Sequence, residues 1–173
     1  VQFSRPDAMN SMDKAFWLEL PQCMRDIESQ TDARVIVISS TGKHFSAGMD
    51  LGVFSDSSTM PQSKDPSRMA ESLRRLVLQL QATLSSLEEI RLPVLTAIQG
   101  GCIGGALDLV CAADSRYCTA DAYFTIKETE LGMTADVGTL QRLTKLIPAG
   151  IVKELAFTGR KFTAQEAQQF GLV

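Results

Sequence analysis

Two carboxylates stand in stretches of chain that are otherwise nearly uncharged, and a third follows an apolar strand. Asp108 lies within Ile103-Gly104-Gly105-Ala106-Leu107-Asp108-Leu109-Val110, Glu128 follows an apolar run ending at Ile126, and Asp136 lies within Leu131-Gly132-Met133-Thr134-Ala135-Asp136-Val137-Gly138. A carboxylate in such surroundings has to be paired, hydrogen-bonded or functional, because an unpaired buried charge costs several kcal/mol. Plain structural readings stand beside this one. Asp108 could face solvent from a helix or pair with Arg116, and Asp136 could cap a helix starting near Gly138.

Two loops of small residues accompany the acids. One is His44-Phe45-Ser46-Ala47-Gly48-Met49-Asp50-Leu51, the other Gly100-Gly101-Cys102-Ile103-Gly104-Gly105-Ala106-Leu107-Asp108. Glycines let backbone approach a ligand closely, and one N–H group from each loop could converge on a single oxygen as an oxyanion hole. The same spacing also serves two tight turns that let a helix pack near a strand. Donors of this kind with up to three carboxylates suit proton movement beside a carbonyl, through an enolate.

Other chemistries are less well supported. The glycines do not match the GxGxxG dinucleotide fingerprint, and Gly42-Lys43-His44 lacks the earlier glycine and the Ser/Thr of a phosphate-binding loop. No Ser or Cys has an evident partner in His44, which reads as a loop residue rather than a base. Cys23, Cys102, Cys111 and Cys118 form no CxxC pair, so they read as buried thiols rather than zinc ligands or disulfides. The methionines read as core filler.

Around these residues the chain has the make-up of one globular domain. It has 173 residues, 45% hydrophobic and 21% charged, with 17 Lys and Arg against 20 Asp and Glu for a net charge of −3. That excludes a disordered tail or disulfide scaffold, and it offers no basic excess for nucleic acid. No apolar run is long enough to span a membrane. Both ends read as cut. Val1-Gln2-Phe3 resembles the end of a strand, and Leu172-Val173 the start of something further, so the domain is expected to continue or to have disordered ends.

The elements that must position the site alternate. Residues 12–29 carry apolar residues at helical steps, with Pro21 expected to kink or interrupt them. The β-branched run Val35-Ile36-Val37-Ile38 and the run Pro93 to Ile98 read as strands buried on both faces. Residues 52–66 are polar and aperiodic, and read as a mobile loop. Met69, Leu73, Leu76, Leu80, Leu84 and Leu87 mark a long amphipathic helix over 67–90. A Gly-rich turn over 100–105 opens a helix to Ala113; short strands follow at 115–118 and 123–126, and helices at 138–146 and 151–157. Thr163 and Glu166 form a capping box for a last short helix that Gly171 stops. The order predicts an α/β fold with a largely parallel sheet. No internal repeat is visible.

Taken together, these segments resemble the enoyl-CoA hydratase/isomerase (crotonase) superfamily. Ser46-Ala47-Gly48-Met49-Asp50-Leu51 resembles its SAGxDL loop, and Gly100 to Leu109 its second oxyanion-hole segment, with Ala106 in place of a third glycine. Arg5-Pro6, Asn10 and Met12 resemble a shortened form of its N-terminal pattern. Ala135-Asp136-Val137-Gly138-Thr139-Leu140-Gln141-Arg142-Leu143 is similar to a signature of its dienoyl-CoA isomerase branch.

The resemblance implies a crotonase-like core of repeated ββα units over 1–173, with the family's C-terminal helical region missing. It implies an isomerase of fatty-acid β-oxidation that converts 3,5-dienoyl-CoA to 2,4-dienoyl-CoA. The alternatives are an enoyl-CoA hydratase and an inactive acyl-CoA-binding or scaffold protein. In the implied roles the N–H groups of Met49 and Gly105 bind the thioester oxygen. Ser46, Ala47, Gly48, Met49 and Asp50 line the acyl-CoA site. Glu128 and Asp136 move protons, with Asp108 as a third buried acid. No metal or separate cofactor is implied, since CoA arrives with the substrate. A homotrimer or hexamer in the mitochondrion or peroxisome is implied by the family alone.

Overall fold

Each turn of the chain visits two sheets in succession. The computed structural model describes residues 1–55 and 63–173. In the first sheet, β1 (Gln2–Phe3), β2 (Ile36–Ser40), β3 (Val94–Ile98) and β5 (Ser115–Cys118) lie parallel in that order. After each of these strands the chain enters a second layer. Met12 bridges to Met49, and Ser46 bridges to Cys102 in β4 (Gly101–Ile103). Strand β4 pairs in parallel with β6 (Tyr123–Thr125), and β7 (Phe162–Thr163) closes that layer antiparallel to β6. The two layers therefore run in the same order. This is a repeat of backbone pairing, invisible in the residues because the connections between successive turns differ in length and type.

Several expectations are corrected. Strand β2 is buried on one face only: Ile36 and Ile38 are buried, whereas Val37 is 44% exposed. A β-branched run shows the preference for a strand but not which alternate side chains meet the core. The Gly-rich segment is not all turn, since Gly101–Ile103 pair as β4. Residues 52–55 form a short helix, α2 (Gly52–Ser55), and Asp65 caps the next one. The middle of the loop expected over 52–66 lies outside the described residues.

Helix α1 (Lys14–Gln30) runs through Pro21 without interruption. A proline inside a helix leaves the carbonyl four residues earlier without its donor. That carbonyl is Trp17's, and the Thr83 hydroxyl of α3 (Pro66–Glu89) donates to it at 3.0 Å. The packing of α3 on α1 thus supplies the hydrogen bond that the sequence of α1 removes.

The core lies between the sheets and the helices. Helix α4 (Gly105–Cys111) is buried along its whole length, and its neighbour α5 (Thr139–Leu146) packs beside it. Phe45, Phe124, Phe162, Leu107 and Leu143 fill the interior, with the Phe124 and Phe162 rings stacked. Arg116 is not a partner of Asp108. It donates to the carbonyls of Val110, Ala113 and Leu172, which ties the end of α4 to the C-terminal segment. Helix α6 (Ala149–Thr158) leads to β7, and α7 (Ala164–Phe170) carries the capping box of Thr163 and Glu166 and ends at Gly171.

Thr83→Val should destabilise the fold by about 1–3 kcal/mol, because the Trp17 carbonyl is left buried without a donor. In a Pro21→Ala background the penalty should shrink, since the restored backbone N–H can take over. A double-mutant cycle in urea measures the coupling, and equal penalties in both backgrounds would refute this account.

Candidate functional site

The first loop is built by its own polar side chains. Asn10 is buried, accepts from the Arg5 N–H and donates to the carbonyls of Thr41 and His44. The buried Ser46 hydroxyl donates to the Asn10 carbonyl at 2.8 Å and accepts from the Gly48 N–H at 3.1 Å. Asp50 accepts from the Gly52 N–H and the Ser11 hydroxyl and lies 3.5 Å from the Arg5 guanidinium. These bonds, the Gly52 N–H first, hold its carboxyl below the usual range. The N-terminal Arg-Pro-x-x-x-Asn-x-Met segment is therefore stitched to the loop over 41–52. His44 Nδ1 accepts from the Gly101 N–H at 3.0 Å, which makes this side chain a brace between the loops.

Gly48 sets how close the two loops come. A Cβ there would lie 2.4 Å from the Ile103 carbonyl oxygen and 3.0 Å from the Gly105 nitrogen, and φ is +80°. A side chain is thereby excluded on steric and conformational grounds. A Cβ on Gly105 would lie 3.5 Å from the Met49 nitrogen. The Met49 and Gly105 N–H groups thus share one wall, and neither donates to an acceptor among the described residues.

That wall belongs to a cavity of about 860 Å³. Of the expected site residues, Ala47, Met49, Asp50, Gly105, Asp108, Glu128 and Asp136 line it; Ser46 and Gly48 lie behind it as supports. The sequence reading missed the apolar part of the lining supplied by Leu73, Leu76, Val77 and Leu80 of α3, with Leu131 and Met133. One signal was present. The apolar stripe of α3 continues into its N-terminal half, where Leu73 remains 45% exposed.

The acids differ sharply in surroundings. Glu128 starts a 3-10 turn (Glu128–Leu131) just after β6, and a Cβ on Gly104 would lie 3.3 Å from its Oε1. Its Oε2 is buried with no hydrogen-bond partner. Burial, and then the charge of Asp108, push its carboxyl up to about 7. Asp108 is 1% exposed and accepts the Thr139 N–H, the first of α5. Burial raises its pKa against the lowering effect of Thr139. Asp136 is exposed and does not cap α5, whose N-cap residue is Gly138, with no side-chain cap. The Asp136 backbone carbonyl instead accepts from Gln81 of α3 at 2.6 Å.

The remaining groups fit no second centre. Glu130 pairs with Lys127. The four cysteines are free, and burial pushes the Cys111 thiol up to about 12. Among the described residues no group of three His, Cys, Asp or Glu side chains could hold a metal ion, and no helix is long and apolar enough to cross a membrane.

Residues 1–173 match the enoyl-CoA hydratase/isomerase family. The chain is 47% identical over 174 residues to the mitochondrial Delta(3,5)-Delta(2,4)-dienoyl-CoA isomerase of Mus musculus, covering all of this chain and 53% of that protein. It is 43% identical over 171 residues to the peroxisomal protein of that name from Arabidopsis thaliana, covering 98% of this chain and 62% of that one. Among solved structures, an enoyl-CoA hydratase from Bacillus anthracis superposes with a TM-score of 0.84 at 32% identity, covering 99% of this chain and 64% of that chain. The chain spans about half the length of the mammalian relatives it matches. With the match running from the first residue to the last, the chain belongs to the enoyl-CoA hydratase/isomerase family.

Proposed function

We propose that the protein of which this chain is part isomerises 3,5-dienoyl-CoA thioesters to 2,4-dienoyl-CoA. The observation that carries this reading is a carboxyl with an unpartnered buried oxygen, Glu128, in one apolar cavity with two N–H groups that have no acceptor among the described residues; burial pushes that carboxyl up to about 7. The Met49 and Gly105 N–H groups donate hydrogen bonds to the thioester oxygen as negative charge develops on it. Glu128 takes the proton from C2, and the C–H electrons enter a conjugated trienolate that extends from the thioester oxygen to C6. Asp136, further along the cavity, delivers a proton to C6. One C–H bond breaks and one forms, and the double bonds move by one position. Exchange with water restores both acids.

Asp108 acts through its neighbours. Its charge helps to keep Glu128 a base matched to neutral pH, and its bond to Thr139 fixes the start of α5. The apolar wall of α3 accommodates the acyl chain. Hydration needs only a pair of acids around a water, whereas a third acid at the cavity rim suits a second, distant carbon. The names of the relatives favour the isomerase in the same way. No cofactor beyond substrate-borne CoA enters this scheme. A mitochondrial or peroxisomal setting and a trimeric or hexameric assembly complete the proposal, the setting by analogy with the named relatives.

Proton abstraction needs ionised Glu128, so the limb of the kcat/KM profile that Glu128 controls should rise with pH through about 7. Stability should run the other way. The folded state holds this proton more tightly than the unfolded chain, whose carboxyl titrates near 4.5. Glu128 therefore contributes most below that pH and costs stability as pH climbs through about 7. Glu128→Gln should stop exchange of the C2 proton with solvent deuterium and raise Tm at about pH 8. A lower Tm there would contradict the burial argument.

Asp136→Asn should abolish isomerisation, so that no conjugated thioester absorbance appears, while C2 exchange continues. Wild-type turnover in the folded variant would overturn the three-acid reading and favour the hydratase.

A further inference from the structure

The acid assigned to C6 has no side-chain hydrogen bond among the described residues, so its position depends on its backbone. Gln81, Ser85 and Glu88 lie at steps of four and three on α3, which places them on one stripe. All three bind the segment 136–142. Gln81 donates to the Asp136 carbonyl at 2.6 Å. Arg142 of α5 donates to the Ser85 hydroxyl at 2.9 Å and pairs with Glu88 at 2.5 Å, and its Nη1 reaches back to the Val137 carbonyl at 3.4 Å. Gly138 makes this return possible: a Cβ there would lie 1.8 Å from Arg142 Nη1, and its φ is +143°. The Asp108 carboxyl fixes the next backbone group, the Thr139 N–H.

From these contacts we infer that Gln81, with the Glu88–Arg142 pair, positions Asp136 along the acyl chain. The same helix lines the cavity through Leu76, Val77 and Leu80. One rigid element would thus set both the path of the chain and the place of the acid. The backbone of 136–139 is pinned at three points, and the Asp136 carboxyl stays free to carry a proton. The Arg142 Nε is buried without a partner, so the guanidinium is placed for its two ends rather than for full satisfaction. The inference rests on the reading of Asp136 as the proton donor to C6, and Gln81 acts as a positioning residue that touches no substrate.

The test separates the two ends of the reaction. Gln81→Met removes the donor at similar volume. It should lower kcat for dienoyl isomerisation about tenfold, since small misplacements of a reacting group are costly. KM should stay within about twofold, and deuterium exchange at C2 should proceed at the wild-type rate. Glu88→Ala, at an exposed position, should act in the same direction by releasing Arg142, and Glu88→Gln, which keeps an acceptor, should recover most of the loss. Wild-type kcat in both Gln81→Met and Glu88→Ala overturns the inference. So does an equal fall in C2 exchange and isomerisation, the mark of general loosening. If Gln81→Met fails to fold, the Glu88 pair decides alone. Wild-type isomerisation by Asp136→Asn sinks the underlying proton-donor reading; an inactive Asp136→Asn beside unaffected Gln81 and Glu88 variants sinks only the positioning role.

Discussion

The contact between Gly48 and the end of β4 is the constraint on which the site depends. The loop over 46–50 is inserted between Met12 and β4, with backbone bonds to both sides. At Gly48 the separation leaves no room for a Cβ. This approach brings the Met49 N–H, from one turn of the spiral, beside the Gly105 N–H, from the next. It also explains why so many polar side chains near the loop face away from the cavity. Asn10, Ser46 and His44 spend their hydrogen bonds holding the approach in place.

Electrostatics build on that frame. Burial of two carboxyls in one apolar wall is unfavourable for both charges, and the charge of Asp108 raises the affinity of Glu128 for a proton. Asp108 is compensated by the Thr139 N–H, whereas one Glu128 oxygen is left unpartnered. The site therefore stores instability in Glu128, the group given the base role in the proposed reaction. A fully bonded carboxylate there would make the fold more stable and the base too weak.

Helix α3 has two faces with different tasks. Its C-terminal half is a packing element, with Leu84 and Leu87 buried and Thr83 bonded to the carbonyl that Pro21 deprives of its donor. Its N-terminal half and middle face the cavity with Leu73, Leu76, Val77 and Leu80, and a stripe from Gln81 through Ser85 to Glu88 holds the 136–142 segment. Amphipathic periodicity describes the first task well. It is silent on the second, because a leucine against a ligand and a leucine against a core have the same pattern.

Residue order alone determined the alternation of strands and helices, the Gly-rich loops, the capping box of α7 and the family. Each of these is local: β-branched runs, apolar periodicity, caps and glycines at strained turns act through near neighbours. Asp108 and Asp136 stood out for the same reason, as charges in nearly uncharged stretches, whereas Glu128, beside Lys127 and near Glu130, gained its role from the family resemblance. Tertiary structure decided what no local pattern encodes. It put one face of β2 outside, carried α1 through Pro21 with a hydroxyl from α3, turned Asp108 toward Thr139 rather than Arg116, and left Asp136 without a capping role. The two-layer repeat likewise exists only as pairing between distant strands. In each case the deciding partner is remote in the chain, and its hydrogen bond or its bulk exists only once the layers have packed.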